Sequence, residues 1–328
     1  MEKVMKVMVL GGAGFIGRHA VAALLKQNYQ VIVGSRHPKR VGRRLAETAN
    51  SCERRQVRFE QMPYAEQWRT TLEDVDAVIN CVGILRERAK ETYEAVHLHA
   101  PMALAQACKQ KNIRLIHVSA LGLNHDHRSG FLRSKFKAEQ LLGMSGADYC
   151  LVRPSLLDGS GGFGASWIRK LSHLPVHLLP DKANGKIAAL DVKDLGEALA
   201  NLVEFPIAAT ARPDQREFDL GGLQLRDIAT YMQAMRMAHA AEPARCIRVP
   251  SLMARIGSHI CDLLHFSPFS FGHWELLQYD NIPRLNRLPE LLGRAPQLVG
   301  APLTTLESPE LAGIETTLAG SGTHTVTG

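Results

Sequence analysis

The feature that most constrains this chain is the stretch from Val7 to Gly17, VMVLGGAGFIG, where a short apolar run empties into a glycine-rich turn. Met5 to Leu10 has the continuous apolar character of a parallel strand buried on both faces. Arg18 to Lys26, rich in Ala and Leu, reads as the helix that follows. Gly11, Gly14 and Gly17 suit three separate demands: a sharp turn, close backbone approach to a pyrophosphate, and tight packing of helix on strand. The start of the helix then offers free amide hydrogens and a positive dipole end to an anion. The spacing therefore predicts a dinucleotide site, with a bare strand-to-helix turn as the plainer alternative.

A second strand is expected at Tyr29 to Gly34, and the residues after it select between nicotinamide cofactors. A carboxylate there would bind ribose hydroxyls. The chain instead has Ser35 and Arg36, then His37, Lys39 and Arg40, so a ribose 2′-phosphate would meet a hydroxyl and a guanidinium. This favours NADP(H), with NAD(H) as the alternative. Between Ser35 and Arg58 stand eight Lys/Arg and two acids, which accounts for most of the net charge of +7. A basic cluster so confined suits one phosphate, whereas nucleic acid needs a long basic track, so no nucleic-acid partner is expected. The plain alternative for Arg43, Arg44, Arg54 and Arg55 is a solvated basic helix.

Further strands are expected at Val57 to Gln61, within Val75 to Gly83, at Arg114 to Ser119 and at Tyr149 to Arg153, with helices at Tyr93 to Lys109 and Phe131 to Met144. Pro101 either kinks the first of these helices or opens its second part. This alternation predicts an α/β chain: a doubly wound parallel (Rossmann) sheet with a smaller C-terminal α/β domain for a substrate or partner. The dinucleotide domain is assigned to residues 1–155, with 186–205 returning to it; residues 156–185 and 206–305 form the smaller unit, and 306–328 a disordered tail poor in large apolar residues. Six scattered cysteines without a CxxC pair suit a reducing, cytoplasmic setting. The first residues read as the start of a strand, so no secretion signal is expected, and no apolar run is long enough to span a membrane. The segment Leu252 to Leu264 and the aromatics Phe266, Phe269, Phe271 and Trp274 read as domain core; the alternative is an apolar patch for a quinone, a membrane surface or a respiratory protein, which would make the protein peripheral to the membrane. His125, Asp126 and His127 read as solvated loop residues, so no metal site is assigned.

GGAGFIG at the N-terminus, VINCVG in the fourth strand, HVSALG at the end of the fifth, a lysine on the following helix and then RPSLLDG together resemble the extended and atypical short-chain dehydrogenase/reductase superfamily. QYDNI at Gln278 to Ile282 is similar to the subgroup that includes the nucleotide-binding accessory subunit of respiratory complex I and its bacterial relatives. The resemblance implies that Gly11, Gly14, Phe15, Ile16 and Gly17 hold the pyrophosphate, that Arg36 meets the adenosine phosphate, and that Cys81, Val82 and Gly83 flank the cofactor. It implies that Lys135 binds the nicotinamide ribose, that Arg153, Pro154 and Ser155 border the nicotinamide, and that Ser119 polarises a substrate oxygen. Active members place a tyrosine four residues before that lysine; here it is Phe131, which has no ionisable group. This points to an accessory, sensing or quinone-associated binder of NADP(H). The alternative is a working reductase, epimerase or dehydratase on a small or isoprenoid carbonyl compound, with Ser119, His127 or water in the proton role. His97 stands where many relatives carry asparagine.

Overall fold

The structure is a computed structural model that describes residues 4–208, 210–238, 242–264 and 269–300. Its strands begin with β1 (Lys6–Leu10), β2 (Gln30–Ser35), β3 (Cys52–Gln56), β4 (Ala77–Asn80), β5 (Arg114–Val118) and β6 (Tyr149–Pro154). All but β3 are buried along nearly their whole length, as continuous apolar runs are in a parallel sheet covered on both faces. With Glu217–Leu220 they form one seven-stranded sheet, ordered 217–220, β6, β5, β4, β1, β2, β3. Every neighbouring pair is parallel. The winding direction reverses between β1 and β4, so a ligand crevice opens at the carboxyl ends of those two strands.

Helices α1 (Phe15–Lys26), α2 (Pro38–Leu45), α3 (Ala100–Lys111) and α4 (Gly130–Met144) follow the strands. Helix α1 buries Gly17, Ala20, Val21 and Leu24, one stripe at helical spacing. The helix Val192–Asn201 packs against α1 so closely that a Cβ on Gly196 would lie 2.6 Å from the His19 carbonyl carbon. Its Leu195, Ala198 and Leu199 share a core with Val7 and Val33 of the sheet. Pro101 sits in the first turn of α3, after a π-helical turn over Glu94–His99, so it opens a helix and does not kink one.

Three expectations from the sequence are corrected. The third strand is Cys52–Gln56 and not Val57 to Gln61; as the sheet edge it is polar and mostly exposed, so it carries no apolar signal, while Val57 and Phe59 turn inward to a core with Trp68. Arg54 and Arg55 therefore lie on a strand and not on a basic helix, and Arg55 is tied to Glu53 and Asp74. Glu217–Leu220, expected in the smaller unit, is the seventh strand of the main sheet: its register against Leu151 to Pro154 buries Phe218 and Leu220 in the main core. Finally, the aromatic segment divides. Phe271 is buried and stacks on Trp274, but the helix Ser251–Leu264 before it buries only Ala254 and Ser258. Phe266 and the tail 306–328 lie outside the described residues. A separate small core joins Leu179, Ile187, Tyr231 and Met232. No helix among the described residues is long and apolar enough to cross a membrane.

Candidate dinucleotide site

The turn after β1 is a backbone device. Gly11 has φ +71°, which a side chain would strain, and its N–H donates to Gly34 O at 3.0 Å. Gly14 donates to Gly11 O at 2.8 Å and precedes α1, leaving the amides of Phe15 and Ile16 in the helix's first turn. A Cβ on Gly17 would fall 2.3 Å from Gly11 O, so helix and turn touch backbone to backbone. The glycine-rich segment around Ser160 lies over the start of α1: Arg18 donates to Ser160 O, and a Cβ on Gly162 would meet the Phe15 ring at 2.7 Å.

The segment after β4 faces this turn. A Cβ on Gly11 would be 3.3 Å from the Cys81 backbone and 3.4 Å from Val82. A Cβ on Gly83 would be 3.8 Å from His97 Nε2 and 3.9 Å from Lys135 Nζ. Gly11, Cys81, Val82, Gly83 and Lys135 thus form one continuous path along the crevice. Burial pushes the Cys81 thiol up to about 12, which disfavours its thiolate.

Two histidines, both neutral, brace that path. Asn80 Oδ1 accepts from Val82 N–H at 3.0 Å, so its amide donates to His117 Nδ1, also at 3.0 Å, and the His117 proton sits on Nε2. His97 Nε2 accepts from Ile84 N–H at 3.1 Å, so its proton is on Nδ1 and is donated to Ser134 Oγ at 2.8 Å. Ser134 passes the chain on to Phe131 O. Burial, reinforced by the Lys135 charge, lowers His97 to about 2 and His117 to about 3.

At the inner end, Lys135 Nζ lies 5.9 Å from the centre of the Phe131 ring. Burial lowers the lysine's proton affinity and Glu139, one turn on, raises it. The Phe131 ring is packed among Tyr93, His97 and His273. Burial raises Glu139, while Arg153, Ser119 and Lys135 hold it down. Ser119 Oγ is buried beside this carboxylate without a well-aligned hydrogen bond. The Arg153 guanidinium is engaged with Glu139 at 2.8 Å and Glu217 at 2.6 Å, locking α4 to the sheet. Pro154, the last residue of β6, is buried. Ser155 Oγ donates to Asn281 O and accepts from Ala188 N, so it fastens the QYDNI segment to the fold. His127, considered as a proton donor, is bonded through Nε2 to Gly122 O at 2.8 Å and lies edge-on to Tyr279. Among the described residues no group of three or more His, Cys, Asp or Glu could hold a metal ion.

At the outer end, Ser35 accepts from His37 N–H, and Arg36 forms an ion pair with Glu91. Glu91 belongs to a tight 88–91 turn in the segment after β4, so this pair bridges the loops of β2 and β4 across β1. The same segment is anchored at Arg86, which pairs with Asp262 at 2.8 Å. Sequence reasoning missed Glu91, because the contact spans 55 residues without a local pattern. It also missed Glu139, although its i,i+4 spacing from Lys135 was a usable signal.

Residues 11–173 match a family model described as NAD(P)H-binding. These residues thus carry an NAD(P)H-binding domain of that family. The chain is 28% identical over 200 residues to a mitochondrial protein of Dictyostelium discoideum named NADH dehydrogenase [ubiquinone] 1 alpha subcomplex subunit 9, covering 60% of this chain and 55% of that one. The mouse protein of the same name is 29% identical over 46% of this chain and 40% of its own length. The chain thus spans about half the length of these curated relatives. A ceramide reductase of Caulobacter vibrioides is 23% identical over 74% of this chain and 73% of its own. The fold is shared with a nucleoside-diphosphate-sugar epimerase of Staphylococcus aureus (TM-score 0.68, 16% identity, 90% and 99% of the two chains). A dTDP-glucose 4,6-dehydratase of Bacillus anthracis in complex with NAD also shares it (TM-score 0.64, 13% identity, 90% and 92%).

Proposed function

We propose that this chain binds NADP(H) along the path from Arg36 to Lys135 and holds it in an accessory or sensing role associated with quinone or respiratory chemistry. The observation that carries the reading is Phe131, an apolar ring packed among three others one helical turn before Lys135. Reduction of a carbonyl needs a proton delivered as hydride moves, and a phenyl ring has none to give. Gly11, Gly14 and Gly17 would cradle the pyrophosphate and Lys135 would hold the nicotinamide ribose. The NADP(H) preference is supported by Ser35 and Arg36, with no carboxylate directly after β2. Relatives named as subunits of a ubiquinone-linked NADH dehydrogenase support the respiratory setting. Six free cysteines support a reducing, cytoplasmic compartment.

The relative named ceramide reductase favours a second reading, a working NADPH-dependent reductase on a carbonyl compound. Steady-state NADPH oxidation over a panel of small, isoprenoid and lipid carbonyl compounds separates the two. Tight NADPH binding with background turnover is expected. Brisk turnover that Ser119→Ala abolishes would overturn the accessory role and leave the reductase.

A further inference from the structure

The helix Ser251–Leu264 carries its apolar side outward. Leu252, Met253, Ile256, Ile260, Leu263 and Leu264 are between 48% and 77% exposed. At about 100° per residue these six fall within an arc of roughly 120°, on a helix about 21 Å long. No charged or polar side chain lies inside that arc. Six large aliphatic groups in one stripe are not the scattered exposure of an ordinary surface. They also lack the tyrosine, tryptophan and arginine anchors that dominate protein interfaces.

The margins decide what covers the stripe. Arg255 and His259 run along one edge and are exposed. The strand Arg245–Val249, which ends two residues before the helix, exposes Arg245 and Arg248. It pairs with Val176–Pro180, and Leu178 and Ile247, opposite one another, are exposed too. The one acid on the helix, Asp262, lies off the stripe and is paired with Arg86. An aliphatic stripe rimmed by cations is complementary to acyl chains beneath anionic headgroups.

We propose that this helix is a docking surface for an anionic lipid bilayer, lying flat in the headgroup region with its aliphatic stripe among the acyl chains. The inference does not depend on the cofactor reading. The test is sedimentation of the full chain with phosphatidylcholine vesicles, with and without phosphatidylglycerol. Binding is expected to phosphatidylglycerol vesicles and to weaken as salt rises. Ile256→Glu with Ile260→Glu is expected to lower partitioning at least about tenfold, because it places charge where apolar area was buried. Arg245→Gln is expected to lower it roughly fivefold, and only on phosphatidylglycerol vesicles. Far-UV circular dichroism and thermal melting report whether each variant is folded; if the double variant is not, Ile256→Ser alone is read instead. Absence of vesicle binding overturns the proposal, as does binding that the Ile256 and Ile260 changes leave intact. A dimer in sedimentation velocity that the same changes dissociate also overturns it, since a second copy would then cover the stripe.

Discussion

Arg36 is paired with Glu91, and this makes cofactor selection a competition. A 2′-phosphate arriving at the end of β2 must displace a carboxylate before it gains the guanidinium. The pair is partly exposed, 51% on the Arg36 side chain and 24% on Glu91, so screening limits its worth to about 0.2–1 kcal/mol. Charge-assisted hydrogen bonds to a phosphate are worth more, about 1.5–3 kcal/mol. On the proposed NADP(H) reading the phosphate is expected to win, with Glu91 weakening the complex without preventing it. Glu91→Gln is expected to tighten NADPH binding by up to about fivefold, the equivalent of about 1 kcal/mol, with a smaller effect on NADH, which lacks the phosphate. Arg36→Asp is expected to weaken NADPH by about 1–3 kcal/mol. With Arg36→Ala in place, Glu91→Gln is expected to do little, because the competition has been removed. Calorimetric titration of both cofactors against the unaltered protein and these four variants supplies the ratios. The reasoning is refuted if Glu91→Gln leaves the NADPH-to-NADH ratio unchanged and Arg36→Asp does not lower it.

Three further outcomes follow from the site. His97 and His117 are held neutral well below the ordinary histidine range, so unfolding below pH 6.5 takes up protons that the folded state refuses. Stability is thus full above that pH and falls as the pH drops, by up to about 2.7 kcal/mol per unit for two such groups; urea titrations at pH 7 and 5.5 measure this, and an unchanged slope in His97→Asn would contradict it. Phe131→Tyr restores a phenol beside Lys135 and, if a carbonyl substrate reaches the nicotinamide, is expected to raise NADPH oxidation about 10²–10⁴-fold; no gain with any carbonyl compound would place the block elsewhere. Gly17→Ala puts a carbon 2.3 Å from Gly11 O and is expected to abolish NADPH binding or folding, which titration and thermal melting distinguish; wild-type affinity would show that the turn is not the pyrophosphate seat.

What local sequence determined is everything that rests on continuous apolar runs and backbone-limited turns. β1, β2, β4, β5 and β6 were legible because strands buried on both faces cannot be polar, and the Gly11 to Gly17 turn because only glycine permits that approach. β3 was not legible: the register of CERRQ is set by the neighbouring β2, and an exposed edge needs no apolar signature. The seventh strand, Glu217–Leu220, was misplaced because pairing with β6 across more than sixty residues leaves no local trace. In the site, the glycine turn could be named from spacing, Gly83 from the end of the fourth strand and Lys135 from the family resemblance, and the fold placed them on one path. Arg153 and Ser155 could be named too, but tertiary packing engaged their polar groups with Glu139, Glu217, Asn281 and Ala188. Only the folded chain decided that Arg36 faces Glu91, that His97 and His117 are neutral, and that the stripe on Ser251–Leu264 points outward. Each depends on desolvation or on a partner distant in sequence, and helical periodicity reports that a face is apolar without reporting which way it turns.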